Sequence, residues 1–238
     1  MSWELIASGR FEEAVAALRE SDWSKGRNLG TALLCLGRYE EALQTYLGCI
    51  ESDRQKWLLC DGDFLMAGLC LWCQGRAAQA VETWREGWKT PYTDAAGGVI
   101  VPAVLFYAAL KLHDQVLRKE AIQKLKKRWK PKLEQIWPGP ISGFLLRAIP
   151  PEDFVSKRTF QNETLENRRA CQAFFWAGVR CLDEQDPEGA RSFFVRSSQV
   201  RDPGGAHLLE LEFFLACHEV GVDPGQSRQG SCSVTEVG

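Results

Sequence analysis

The sequence lacks the patterns from which catalytic, metal and cofactor sites are usually built. Its three histidines, His113, His207 and His218, are far apart and have no Glu-x-x-His or serine partner pattern nearby. No glycine-rich loop of the phosphate-binding type is present. The motif Cys70-Leu-Trp-Cys73 falls late in a predicted helix and has no second ligand pair at zinc spacing, so we interpret it as packing. We therefore expect a non-enzymatic protein that holds no metal ion and no cofactor.

Long apolar runs and an excess of charge of one sign are also missing. The longest uncharged stretch, 95–110, has 16 residues and is interrupted by two glycines and Pro102, so it falls short of a membrane span. The N-terminal segment reaches Glu4 and Arg10 early and has no apolar core of signal-peptide length. The formal net charge of −2 gives no general attraction to nucleic acid or membranes. These observations favour a cytoplasmic protein without membrane contact.

Cysteine is abundant, but its distribution does not indicate a disulfide framework. The nine cysteines are an odd number and are scattered along the chain. Several of them fall on predicted apolar helix faces, namely Cys35, Cys49, Cys70, Cys171 and Cys181. Small buried thiols of this kind are typical of proteins in a reducing compartment.

Two short amphipathic helices joined by a glycine turn organise the chain. The segment 28–53, NLGTALLCLGRYEEALQTYLGCIESD, has apolar residues at helical spacing on both sides of Gly-Arg-Tyr at 37–39. The same Gly-Arg turn recurs at 9–11 and at 75–77, each time followed by another apolar stripe. Neither helix of such a pair can bury its apolar face alone, so the pairs are expected to pack on one another.

The pattern Leu-Gly followed by Gly-x-Tyr-x-x-Ala-x-x-x-Tyr resembles the tetratricopeptide repeat, a helix–turn–helix unit of about 34 residues. Motif copies cover most of 9–87 and 167–200, and periodicity alone predicts a further helix pair over 99–129. The resemblance implies an all-α fold in which antiparallel helix pairs stack into a right-handed α-solenoid.

The resemblance also sets the expected domain organisation. We expect one helical-repeat domain over 1–221, with a non-repeat insertion at about 131–158 where Trp-Pro-Gly-Pro and Pro-Pro interrupt the rhythm. A last apolar helix over 207–220 suits a C-terminal cap for the stack. The tail at 222–238 is rich in Gly, Ser and Gln, and we expect it to be disordered.

A dense basic segment stands out against the balanced overall charge. Residues 111–132 contain nine Lys or Arg and only two acidic residues. Three interpretations stay open: a solvated helix face with cations near a helix C-terminus, a surface for an acidic protein partner, or a surface for RNA. RNA is disfavoured because only Trp129 is interleaved among the basic residues for stacking.

Helical repeats of this kind present a concave face to a peptide or a folded domain, and the resemblance implies such a binding face here. The predicted register places an apolar and aromatic groove on it beside the basic segment. Its members are Arg27, Thr31, Leu69, Trp72, Phe106, Leu110, Phe175 and Val179, with the neighbouring cations Lys126, Lys127 and Lys130. Trp72 and Trp176 can either anchor a partner there or fill the groove between helix pairs, and the sequence leaves both readings open.

The expected function is therefore binding rather than catalysis. Small proteins made of degenerate helical repeats resemble bacterial immunity proteins, which sequester a toxin domain. We expect a scaffold that binds another protein on its concave face, in an immunity (toxin-neutralising) or adaptor role. The alternative is an RNA-associated factor that uses the basic helix at 118–132.

Overall fold

The described part of the chain folds into thirteen α-helices and one 3₁₀ helix, without a strand. The computed structural model describes residues 2–19, 26–156, 162–200 and 210–225. The α-helices are α1 (Ser2–Ala7), α2 (Phe11–Arg19), α3 (Gly26–Cys35), α4 (Tyr39–Gln55), α5 (Asp61–Cys73), α6 (Ala77–Gly87), α7 (Ile100–Lys111), α8 (Gln115–Arg128), α9 (Pro140–Leu145), α10 (Pro151–Ser156), α11 (Glu163–Asp183), α12 (Pro187–Gln199) and α13 (Leu211–Val220). The 3₁₀ helix is Pro131–Gln135. The all-α prediction is confirmed.

Consecutive helices pack as pairs, and consecutive pairs pack on one another. The contacts within pairs are α3 with α4, α5 with α6, α7 with α8, and α11 with α12. Contacts of α2 with α3, α4 with α5, and α6 with α7 join the first four pairs, and α11 contacts α7 and α9. This is the neighbour-to-neighbour packing of a tetratricopeptide-like α-solenoid, as the sequence predicts. We call the surface formed by the first helices of the pairs, α3, α5, α7 and α11, the concave face.

A glycine opposite an aromatic ring sets how closely the two helices of a pair approach. The glycine lies on the first helix and the ring on the second, 16 residues further along the chain. The three instances are Gly30 with Tyr46, Gly68 with Trp84, and Gly178 with Phe194. A Cβ atom on any of these glycines would lie 2.2–2.6 Å from the ring, a distance at which something must shift. The recurrence of this contact identifies α3–α4, α5–α6 and α11–α12 as equivalent units.

The Gly-Arg turns also have one common structure. Their glycines, Gly9, Gly37 and Gly75, adopt left-handed φ angles of 76°, 68° and 74°. The arginine that follows hydrogen-bonds the side chain three residues on: Arg10 with Glu13, Arg38 with Glu41, and Arg76 with Gln79. The pair α1–α2 therefore has the same turn as the two pairs that follow it.

The last helix does more than end the stack. Helix α13 packs on α12, as a C-terminal cap would, but it also packs on α11 and on α5, which lies far away in the sequence. The segment predicted as an insertion at 131–158 contains the 3₁₀ helix, α9 and α10. The predicted tail at 222–238 lies outside the described residues from 226 onwards, while Gly225 packs against the carbonyl oxygen of Cys35.

Candidate functional site

The structure divides the sequence-predicted site residues into a buried group and a more accessible group. The buried group consists of Leu69, Trp72, Phe106, Phe175 and Val179. Leu110 and Thr31 are half-buried, and Arg27, Lys126, Lys127 and Lys130 are exposed. A partner that meets this conformation would contact the accessible group. A role of the buried residues in partner binding stays a prediction.

Helix α13 is held against α7 and α11 by polar contacts. The Tyr107 hydroxyl on α7 donates a hydrogen bond to the Glu219 carboxylate on α13 at 2.5 Å, and the Lys111 ammonium binds the other oxygen of Glu219 at 2.8 Å. Near the other end of α13, the Trp176 indole N–H donates to the Glu212 carboxylate at 3.0 Å. These contacts hold α13 along the first helices of the pairs, so the chain covers its own concave face.

A chain of aromatic rings forms the wall against which α13 lies. The ring centroids of Trp72 and Tyr107 are 5.3 Å apart, and those of Tyr107 and Phe175 are 5.4 Å apart. Phe175 in turn meets Trp176 edge to face at 5.0 Å. Separations of this size are favourable for aromatic pairs. Of the two roles left open for Trp72 and Trp176, the structure shows the intramolecular one: both are buried within the chain.

The beginning of α13 borders a cavity of about 530 Å³ between α5, α7 and α11. Met66 and Leu211 contribute apolar surface to it, and Glu212 contributes a carboxylate. Burial raises the pKa of Glu212 to about 7, and the nearby charge of Glu210 adds to this shift. The hydrogen bonds from Gln172 and Trp176 act in the opposite direction, because they stabilise the ionised carboxylate. A carboxyl group that titrates near neutral pH therefore lies at the contact between α13 and the concave face.

Two of the accessible residues already have partners within the chain. The Arg27 guanidinium binds both oxygens of Asp63, at 2.7 and 2.8 Å, and it also binds Asp53 at 2.5 Å. These carboxylates raise the pKa of Arg27. The Thr31 hydroxyl donates to the Arg27 carbonyl at 2.9 Å and lies 3.2 Å from the Tyr46 hydroxyl. Arg27 thus ties α3 to the end of α4 and the start of α5.

The three predicted lysines have no such partners. Lys126, Lys127 and Lys130 are exposed, and no carboxylate in the described part of the chain lies within ion-pair distance of them. Their neighbours behave differently: Lys124 and Arg128 each lie 4.5 Å from the ring centroid of Trp88. The end of α8 therefore combines uncompensated positive charge with aromatic surface.

The exposed apolar residues of the inter-pair connections were missed by the sequence analysis. Trp57 is 94% exposed and Leu58 is 63% exposed in the connection between α4 and α5, and Tyr92 is 51% exposed in the connection between α6 and α7. A signal was present in the sequence. Trp57 and Leu58 follow the last turn of α4 in a run of apolar residues that does not continue its apolar stripe.

The Cys-x-x-Cys motif lies in the core. Cys70 is fully buried, and burial raises the pKa of the Cys73 thiol to about 12. Thiols with such pKa values stay protonated at neutral pH and are poor nucleophiles. Across the described ranges, no group of three or more His, Cys, Asp or Glu side chains is arranged to hold a metal ion.

Comparison with known families agrees with this architecture. The family model of the tetratricopeptide repeat matches residues 26–46 and 65–86, which include the Gly30–Tyr46 and Gly68–Trp84 contacts. No curated protein matches the chain in sequence. The chain is a tetratricopeptide-like helical-repeat protein, and repeats of this family generally mediate protein–protein interaction. None of the described helices combines the length and apolar character needed to cross a membrane.

Proposed function

We propose that the chain is a non-enzymatic scaffold that binds another protein, in an adaptor or an immunity (toxin-neutralising) role in the cytoplasm. The observation that supports this most is the repetition of one helix-pair unit, with its Gly–aromatic contact, in three places along a single stack. Such stacks provide an extended, rigid surface whose side chains are available for recognition. All eight cysteines in the described ranges are free thiols, in keeping with a reducing compartment.

The position of α13 refines where a partner meets the scaffold. Because α13 covers the aromatic wall of the concave face, the resting chain is closed on that side. A partner that used the whole concave face would have to replace a helix whose residues 211–217 are all buried. The exposed surface outside the α13 contact is therefore the simpler place for the first encounter.

The proposal is tested by capture on the immobilised full-length chain from a lysate of the source cells, with mass spectrometry of the retained proteins. The identified protein is then purified and titrated into the chain by calorimetry. We expect a defined complex that survives nuclease treatment. Retention of no protein above a blank support would overturn the proposal.

The two roles differ in what the complex does. In an immunity role, co-expression of the chain suppresses the toxicity of the captured protein in cells. In an adaptor role, the chain binds two proteins at once, and size-exclusion chromatography shows a ternary complex.

RNA binding remains the alternative because Lys126, Lys127 and Lys130 are exposed without carboxylate partners. It predicts that nuclease treatment removes the retained proteins from the support and that the affinity of the chain for RNA falls steeply with salt concentration.

A further inference from the structure

The connections between successive helix pairs form an aromatic and basic surface at one end of the stack. Because the helices of a pair are antiparallel, the α4–α5, α6–α7 and α8–α9 connections lie at the same end. The first two are joined, since the Asp61 N–H donates to the Pro91 carbonyl at 2.9 Å and the Asp61 carboxylate accepts from the Thr93 N–H at 2.8 Å. Arg128, 5.3 Å from the ring centroid of Tyr92, joins the end of α8 to them. We call this surface the loop edge; it consists of Trp57, Leu58, Trp88, Tyr92, Lys126, Lys127, Arg128, Lys130 and Lys132.

Trp57 lies at the left-handed position that ends helix α4. Helix α4 ends with the Trp57 N–H donating to the Arg54 carbonyl at 3.3 Å and the Leu58 N–H donating to the Asp53 carbonyl at 2.9 Å. In this type of helix ending, the residue at Trp57 is usually glycine, because its backbone is left-handed. Trp57 has a φ of 60° and is 94% exposed, so it contributes neither a relaxed backbone nor core packing. The exposed indole ring, next to the exposed side chain of Leu58, is therefore available for contact with another molecule.

The positive charge of the loop edge is concentrated at the end of α8. Six Lys or Arg fall within residues 124–132, and that stretch contains no acidic residue. Lys126, Lys127, Lys130 and Lys132 are exposed, and no described carboxylate pairs with them. Cations near a helix C-terminus are favourable for the helix itself, but that effect is confined to its last turn. The surplus of positive charge complements a partner that carries Asp and Glu.

The ring faces on the loop edge distinguish between the two kinds of macromolecule that positive charge attracts, acidic proteins and nucleic acids. Lys124 and Arg128 lie over Trp88, and Arg128 also lies over Tyr92. Bases of a single strand would need such ring faces to be free for stacking. Cations already lie over Trp88 and Tyr92, the two rings beside the lysines, and the exposed ring of Trp57 lies on a different connection. The aromatic and charged groups therefore suit an acidic protein segment better than RNA.

We infer that the loop edge docks an acidic, amphipathic segment of a partner protein. Apolar side chains of the segment pack on Trp57 and Leu58, and its carboxylates face the lysines at the end of α8. This inference rests on the proposed protein-binding function and adds to it the surface and the chemistry of the partner. Burial of the tryptophan supplies most of the affinity, and the lysines mainly raise the association rate.

The test uses the full-length chain and two fluorescein-labelled probes followed by anisotropy. One probe is a helical peptide with Glu on one face and Leu and Phe on the other, and the second is oligouridylate. We expect the peptide to bind more tightly than the RNA. Trp57→Gly should weaken peptide binding about tenfold or more, the effect of losing a central aromatic contact. Reversal of Lys126, Lys127 and Lys130 to Glu should weaken it at low salt and remove most of its salt dependence.

Matched variants separate binding from folding. Trp57→Gly places the preferred residue in the left-handed position, so its melting temperature should not fall below that of the wild type. Val116→Ala removes a side chain that is 78% exposed next to the α7–α8 turn, at the opposite end of the stack, and should leave binding unchanged. Lys127→Glu is matched by Arg191→Glu, an exposed arginine of α12 without an ion pair in the described part of the chain. Only Lys127→Glu should slow association.

Three outcomes would overturn the inference: no peptide binding by the wild type at low salt, equal binding by Trp57→Gly, or tighter binding of oligouridylate than of the peptide. The capture experiment keeps the two proposals apart. If the wild type and Trp57→Gly retain the same protein to the same extent, the inference that the partner docks on the loop edge is wrong, while the proposed scaffold function stands. If the wild type retains no protein, the scaffold function itself fails.

Discussion

The indole ring of Trp84 lies where a side chain on Gly68 would have to be. A Cβ atom at Gly68 would come within 2.2 Å of Trp84 Nε1, and that nitrogen donates a hydrogen bond to the Leu65 carbonyl at 3.1 Å. The ring is fully buried and fixed by this bond, so it cannot move aside easily. The contact between α5 and α6 depends on the absence of one methyl group.

Gly68→Ala should therefore destabilise the chain. We expect a loss of about 1–3 kcal/mol in the free energy of unfolding, the usual effect of overpacking a core. Gly62→Ala, in the same helix, is the matched control, because a Cβ there would meet its nearest atom, Thr93 Oγ1, at an ordinary 3.6 Å. Urea denaturation of both variants checks the prediction. Equal stability of the two would show that the helices separate freely.

Trp72→Ala should act on folding before it acts on any partner. Trp72 is 7% exposed and contacts Trp84 and Tyr107, so its truncation leaves a cavity in the core. We expect a loss of roughly 3–5 kcal/mol, as for other buried large aromatics. Trp57→Ala removes the same side chain from an exposed site and should change stability far less. A wild-type melting temperature for Trp72→Ala would contradict the buried position.

Tyr107→Phe tests how α13 is held on the concave face. The change removes the hydrogen bond to Glu219 and keeps the ring, and Lys111 remains paired with that carboxylate. We expect a loss of about 1–2 kcal/mol and faster hydrogen exchange of the α13 amides. Tyr39→Phe is the control, because the Tyr39 hydroxyl makes no hydrogen bond in the described part of the chain. Unchanged exchange in α13 would mean that Glu219 does not hold the helix.

Glu212 should make stability depend on pH near neutrality. Its pKa is about 7 in the folded chain against an ordinary value of 4.5, so between these values the folded state binds a proton that the unfolded state has lost. Stability should therefore fall as pH rises from 4.5 through 7. Glu212→Gln keeps an oxygen that can accept the Trp176 N–H and removes the charge. It should stabilise the chain at pH 8 by up to about 3 kcal/mol and leave it nearly unchanged at pH 4.5.

Thermal unfolding of wild type and Glu212→Gln at several pH values measures this difference. Glu86→Gln, at an exposed position of α6, provides the background slope. A wild-type curve parallel to that of Glu212→Gln would show that the carboxyl group titrates in the normal range.

The helix pairs were predictable because their signals are local. The apolar stripe of each helix and the Gly-Arg turn between two helices lie within one repeat, so a short window of sequence contains both. The pair α7–α8 lacks the turn motif, yet its periodicity alone led to the helices that the structure shows. The exposure of the lysines at the end of α8 was also predictable from local sequence, because charged side chains are rarely buried.

Burial was harder to predict on the side where the chain covers itself. Leu69, Phe106 and Phe175 fall on first helices, and register assigns them to the concave face. Helix α13 had a signal of its own, because its apolar residues run around the whole helix rather than along one stripe. Periodicity does not predict which surface of the chain these residues pack against.

The sequence by itself determined the repeated unit, because helix period, turn glycine and the Gly–aromatic pairing act over at most 16 residues. Only the tertiary structure decided what covers the concave face, because the bond from Tyr107 to Glu219 joins residues 112 positions apart. The same holds for Trp57. Apolar residues usually enter a core, and this one is left in solvent because the helix ends there and no later element folds over it in the described part of the chain.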